Sequence, residues 1–134
     1  MPDYTTAWLS IADYFKTAWG GAVPLFLDDD AATPDTNTWA RLNIRHTDGE
    51  QATMGAPGSN RFRRFGIVTV QIFQKQGSYG IAGRELAENA LAIFAGIEND
   101  AITYYNGSVR EIGNDGRGWY QINVITEFRY DEIT

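Results

Sequence analysis

The chain has 134 residues, of which 43% are hydrophobic and 21% charged, and its net charge is −6. This length and balance predict a single domain, residues 1–134, with a core of its own, and they exclude general disorder. The acidity argues against non-specific nucleic-acid binding by the whole surface, and the absence of cysteine excludes disulfides and thiolate chemistry. No apolar run approaches the ~20 residues of a membrane-crossing helix, and no basic stretch leads into an apolar one as in a secretory signal. A soluble protein made in the cytoplasm, without contact to a membrane, is the expectation.

Trp8, Ile11, Ala12, Phe15 and Trp19 recur at three- and four-residue spacing and predict a first helix. Asp3 is placed to cap its start and Gly20-Gly21 to stop it. Residues 23–27 read as a short strand, and Asp28-Asp29-Asp30 followed by small polar residues as a solvated connection. Over residues 39–46, Ala40, Leu42 and Ile44 alternate with Arg41, Asn43 and Arg45, the pattern of a half-buried strand. Residues 47–60 are rich in Gly, Ala, Ser, Thr and Pro and predict a 14-residue loop, long enough to be functional or mobile.

The next strand begins with Arg61, Arg63 and Arg64. It has Val68, Val70 and Ile72 on one face and Phe65, Ile67 and Phe73 on the other, which predicts a central position in a sheet. A glycine-rich bend at residues 77–80 leads to a second helix near residues 82–95. Its stripe is Leu86, Ala87, Ala90, Leu91 and Phe94, and Gly96 ends it. Asn106-Gly107, between residues 102–105 and 109–112, predicts a hairpin turn, and Asn114-Asp115-Gly116 a second turn. In the last strand Tyr120, Ile122, Val124, Phe128 and Tyr130 oppose Trp119, Gln121, Asn123, Glu127 and Arg129. The predicted class is α+β: a mainly antiparallel or mixed sheet, two helices packed on one face, and a mostly polar second face.

Chemistry-bearing patterns are sparse. His46 is the only histidine and has no nucleophile or orienting carboxylate at a spacing that suggests a triad, so it reads as a surface or loop-packing residue. The aspartates at 28–30 lack the alternating ligands and turn glycine of a calcium loop, and Glu85 and Glu88 lie opposite the apolar stripe of their helix. Gly77, Gly80 and Gly83 match neither phosphate-binding fingerprint. Asn106-Gly107-Ser108 fits the glycosylation sequon but needs a secretory route to act as one. No catalytic, cofactor-binding or metal residues are expected. A pocket built on Trp119, Tyr120 and Glu127, or a single-strand nucleic-acid site of aromatics beside arginines, would be the competing classes. The sharpest signal is the arginine run, read either as a solubilising strand end or as a docking edge beside a loop that cannot bury itself.

Several blocks in order, Trp39-Ala40-Arg41-Leu42-Asn43-Ile44, Arg61-Phe62-Arg63-Arg64-Phe65-Gly66-Ile67-Val68-Thr69-Val70-Gln71-Ile72-Phe73, Glu111-Ile112-Gly113 and Trp119-Tyr120-Gln121-Ile122-Asn123-Val124 through Tyr130-Asp131-Glu132, carry a resemblance. From about residue 22 to the end the chain is similar to the tail-terminator proteins of long-tailed, lambda-like bacteriophages. Gln74-Lys75-Gln76 departs from that pattern, where related chains more often have a proline turn.

The resemblance implies a virion structural protein without enzymatic activity. It would form a homo-oligomeric ring, typically a hexamer, at the head-proximal end of the tail. That ring would cap the tube of major tail protein, end its polymerisation and offer a surface to a head-completion or connector protein. DNA would pass through it without specific binding. A head–tail connector or head-closure protein is the alternative. On this reading the candidate subunit and tube interface comprises Arg61, Arg63, Arg64, Arg41, Gln71, Gln121, Asn123 and Arg129.

Overall fold

A computed structural model describes residues 3–21, 23–27, 38–75, 81–114, 116 and 118–133. Helix α1 (Tyr4–Trp19) starts where Asp3 accepts a 2.8 Å hydrogen bond from the Thr6 backbone N–H, and that bond holds the Asp3 carboxyl below its ordinary pKa. It ends at Gly20, whose φ of 64° is the left-handed cap and whose N–H reaches the Lys16 carbonyl. Ala7, Ile11, Ala12, Phe15 and Trp19 are buried, while Trp8 is half-buried at the margin of the stripe.

Among the described residues six strands follow: β1 (Leu25–Phe26), β2 (Trp39–Gln51), β3 (Arg61–Lys75), then, after helix α2 (Ile81–Phe94), β4 (Glu98–Asn99), β5 (Ile102–Asn114) and β6 (Trp119–Ile133). They form one sheet in the order β1-β2-β3-β6-β5-β4. Among the described residues only the β1–β2 pair is parallel. The long central strands β3 and β6 pair without a break from Arg61 opposite Ile133 to Lys75 opposite Trp119. The α+β class, the mixed sheet and the central place of β3 are as the alternation predicts.

Both helices lie on the face carrying Leu42, Ile44, Val68, Val70, Ile72, Ile122, Val124 and Phe128, all buried in one cluster with Ile11, Phe15, Ala87, Ala90 and Phe94. Small residues on α2 set its distance from the sheet. A Cβ on buried Gly83 would lie 2.8 Å from Gln74 Oε1, which accepts the Gly83 N–H at 2.5 Å. Gln74, within the segment that departs from the tail-terminator pattern, therefore ties the end of β3 to the first turn of α2.

Three expectations need correction. The loop predicted over residues 47–60 is only residues 52–60, because 48–51 continue β2 beside Phe62 to Phe65 after a bulge between His46 and Asp48. These residues carry few apolar side chains, so backbone pairing rather than patterning extends the strand. The Asn106-Gly107 hairpin does not form. Residues 102–114 are one strand, and Tyr105 pairs with Glu127 while Ser108 pairs with Ile125, so the extra residue is absorbed as a bulge with Asn106 at φ 52°. Continuous pairing to β6 outweighs the local turn preference. The hairpin lies instead at Asp100-Ala101, with φ of 51° and 63°, where Asn99 pairs with Ile102. Finally, the second face of the sheet is mixed rather than mostly polar, as set out below. The acidic run at 28–30, the bend at 77–80 and Asp115 of the second predicted turn lie outside the described residues.

Candidate protein-binding interface

Side chains alternate across a strand, so the residues opposite the core share the sheet's outer face, which carries neither helix. On it the strand register aligns Arg41, Gln71, Asn123 and Arg110 in one row across β2, β3, β6 and β5. Gln121 lies opposite Phe73 in the adjoining row. These groups are organised by one another: Asn43 Nδ2 donates to Gln71 Oε1 and Gln121 Nε2 to Asn123 Oδ1, each at 2.9 Å. Gln71, Gln121, Asn123 and Arg41 are therefore brought onto one surface.

Beside that row stands an aromatic group the sequence reading did not single out. Trp39 stacks on Phe73 with centroids 4.2 Å apart, and Phe26 and Trp119 meet Trp39 edge-on at 5.6 and 6.2 Å. The Arg41 guanidinium lies 5.9 Å from the Trp39 ring. Trp39 is only 8% exposed and its indole N–H is buried without a hydrogen-bond acceptor among the described residues. The signal was available, since Trp39 shares parity with Arg41 and Asn43, and Phe73 with Phe65 and Ile67. In β3 that parity fits a central strand as well as an exposed face, so periodicity alone does not mark the aromatic group as a surface.

The arginines gather at the other end of the same strands but divide between faces. Arg61, Arg63 and Arg129 surround Asp131 on the outer face. Arg63 Nε donates to Oδ1 at 2.9 Å and its terminal nitrogen to Oδ2 at 3.4 Å, and Arg61 lies 3.6 Å away. Hydrogen bonding from Arg63 holds the Asp131 carboxyl below its usual range, and the same bond raises the Arg63 guanidinium. Arg129 makes no ion pair among the described residues; its guanidinium lies 5.7 Å from the Tyr105 ring. Arg64 points to the inner face and pairs with Glu132 at 3.2 Å. Because β3 is central, the arginine run is the tip of the sheet and not an open edge. Arg63, Arg129 and Asp131 line a recess of about 250 Å³ with Glu98, Thr103 and Tyr130.

Arg64 also borders a second group. His46 Nε2 and the Tyr130 hydroxyl are 2.6 Å apart, and the Tyr4 ring lies tilted against the imidazole with centroids 4.3 Å apart. Burial lowers the His46 pKa, helped by Arg64 and opposed by Glu132, and burial pushes Tyr130 up to about 12. His46 thus packs α1 onto the bulge of β2, half-buried between helix and sheet rather than at the surface or against the loop.

Trp119, Tyr120 and Glu127 do not converge. Trp119 and Glu127 are on the outer face eight residues apart, roughly 26 Å along a strand, while Tyr120 is held by Arg84 on the inner side. Glu127 accepts a 2.7 Å hydrogen bond from Asn106. Glu85 and Glu88 are exposed on α2. Among the described residues no three His, Asp or Glu side chains form a metal-binding group, and no described helix is long and apolar enough to cross a membrane.

No protein-family model and no curated protein matches this chain. It is similar in fold to a solved structure of a protein designated only by a sequence number. The TM-score is 0.61 at 14% identity, over 91% of this chain and 88% of that one. At that identity the likeness concerns the fold alone.

Proposed function

We propose that this chain is a ring-forming assembly protein of the tail-terminator type, which caps a tube of tail subunits and ends its growth. The observation that carries the reading is the outer face of the sheet. Four adjacent strands of 13, 15, 15 and 13 residues present it. At ~4.8 Å between strands and ~3.3 Å per residue they span roughly 800 Å², the area one partner contributes to a standard interface. The composition suits that use: stacked aromatics at one end, an amide and arginine row beside them, and at the other end Arg129, which makes no ion pair among the described residues.

A tube grows because each added ring exposes the surface that recruited it, so a cap must match that surface on one side only. A chain that binds the tube through a sheet face, with helices on its reverse, meets this condition by construction. The order of the sequence blocks named above supports the same class, and the acidic balance fits a ring through which DNA passes without adhering. Sister copies, the major tail tube protein and a head-completion or connector protein are the proposed partners, and the head-proximal end of the virion tail the proposed location. The test is negative-stain imaging of the purified protein, alone and with tail tubes. Rings seated at tube tips are expected; tubes whose ends stay bare with the protein in excess would sink the reading. Rings that bind the connector and ignore the tube would assign the chain to the neck.

A further inference from the structure

The β2–β3 loop holds Met54 at 96% exposure among small neighbours, Gly55, Ala56, Pro57, Gly58 and Ser59. The loop itself is tied down. The Ala52 N–H donates to the Arg61 carbonyl at 2.7 Å, the Arg61 N–H to Thr53 Oγ1 at 2.8 Å, and the Ser59 N–H to the Ala56 carbonyl at 3.0 Å. An unbranched apolar side chain is thus presented at a defined place and left in water, the reverse of what burial favours.

The chain also has a hollow of matching character. Behind the bulge of β5 a cavity of about 300 Å³ is lined by Leu91, Phe94 and Ala95 of the α2 end and by Gly107 and Thr126 of the sheet. Thr126 is 2% exposed and its hydroxyl has no hydrogen-bond partner among the described residues. A buried hydroxyl so placed favours an incoming acceptor or donor. Gly107 keeps the mouth open, since a Cβ there would come within 2.7 Å of the Leu91 side chain.

The two features cannot meet within one chain. The hollow lies beside Ser108, level with Ile125 and Thr69, and the loop begins beyond Arg61. Eight residues of strand separate those levels, about 26 Å, and two strands lie between. A projection at one place and a hollow at another generate a head-to-tail contact, which closes into a ring when the rotation permits.

We propose that Met54 of one copy seats in the Leu91–Phe94–Gly107–Thr126 hollow of the next, with the Thr126 hydroxyl donating to the thioether or to a loop carbonyl. This contact rests on the ring reading above and names the residues that would join its subunits.

The chain has no cysteine, so a disulfide can report the contact cleanly. Met54→Cys with Ala95→Cys, mildly oxidised and run without reductant, should give a ladder of dimer, trimer and higher bands. The control pair Met54→Cys with Leu9→Cys, whose second site is 51% exposed on α1, should not. Rings by native mass without that ladder would overturn the contact and leave the ring reading standing. A chain that stays monomeric at every concentration, with or without tubes, would overturn both. Met54→Ser should raise the half-assembly concentration about tenfold or more, as expected for one lost buried side chain, at unchanged melting temperature. No change in self-assembly would overturn the proposal, and a loss confined to tube capping would assign Met54 to the tube protein instead.

Discussion

Replacing Gly66 by alanine is expected to cost about 3 kcal/mol, the upper end of what an added methyl group costs in a packed site. Gly66 pairs with Phe128 on one side and with His46 on the other, at the point where the bulge bends β2. A Cβ there would overlap the Phe128 ring, 2.6 Å from Cε2, and also the Arg45 backbone carbonyl oxygen. The ring could turn aside; the carbonyl, held in the β2–β3 ladder, could not move without shifting a central strand. For a chain of this length the loss corresponds to a melting temperature lower by roughly 10 °C. Urea unfolding followed by tryptophan fluorescence measures it, the midpoint falling at constant slope. Phe128→Leu should offset part of the cost, so the double variant should lose about 1 kcal/mol less than the two single losses added together. A cost below about 1 kcal/mol, or full additivity, would refute the close approach at Gly66.

Ala101→Gly should stabilise by about 1 kcal/mol, because Ala101 holds a φ of 63° that glycine adopts freely; an unchanged melting temperature would mean the turn is not strained. The lowered pKa of His46 sets a pH window. Its unfolded value is 6.5 and its native value lower, so the unfolded chain binds the proton first. The contribution is full above 6.5 and is lost as pH falls from there through the native value. His46→Gln should flatten the melting temperature over that interval, whereas Asp3 and Asp131, also lowered, act only near and below 3.8. If the loop of residues 52–60 lies between subunits, limited proteolysis should cut it in free protein and spare it in the assembly, and equal cleavage in both would remove it from the interface.

Much of the fold was legible because its signals are local. Asp3 and Gly20 bound α1 through capping, and the alternation in β3 and β6 identified the core face because the side-chain period in a strand is two. The failures share a cause. Asn106-Gly107 carries a strong turn signal, yet pairing along thirteen residues of β5 converts it to a bulge, while Asp100-Ala101, with weak turn chemistry, makes the turn. Long-range pairing outweighs local preference, and sequence patterns report only the latter. On the candidate interface, the polar row of Arg41, Gln71 and Asn123 followed from strand parity alone. The carboxylates facing Arg63 and Arg64 are close in space and 68 positions away in sequence. Nothing in the arginine run announces that Asp131 and Glu132 occupy it.

Seeded tube growth tests directly whether the outer sheet face is a docking surface. Gln71→Glu places a carboxylate on that face directly opposite Arg41, an opposite-charge pair that the folded monomer tolerates. Tubes grown with the wild-type chain should stop at its addition. Tubes grown with this variant, at unchanged melting temperature, should keep lengthening. If the variant halts growth as well as the wild type does, the sheet face is not the surface that binds the tube.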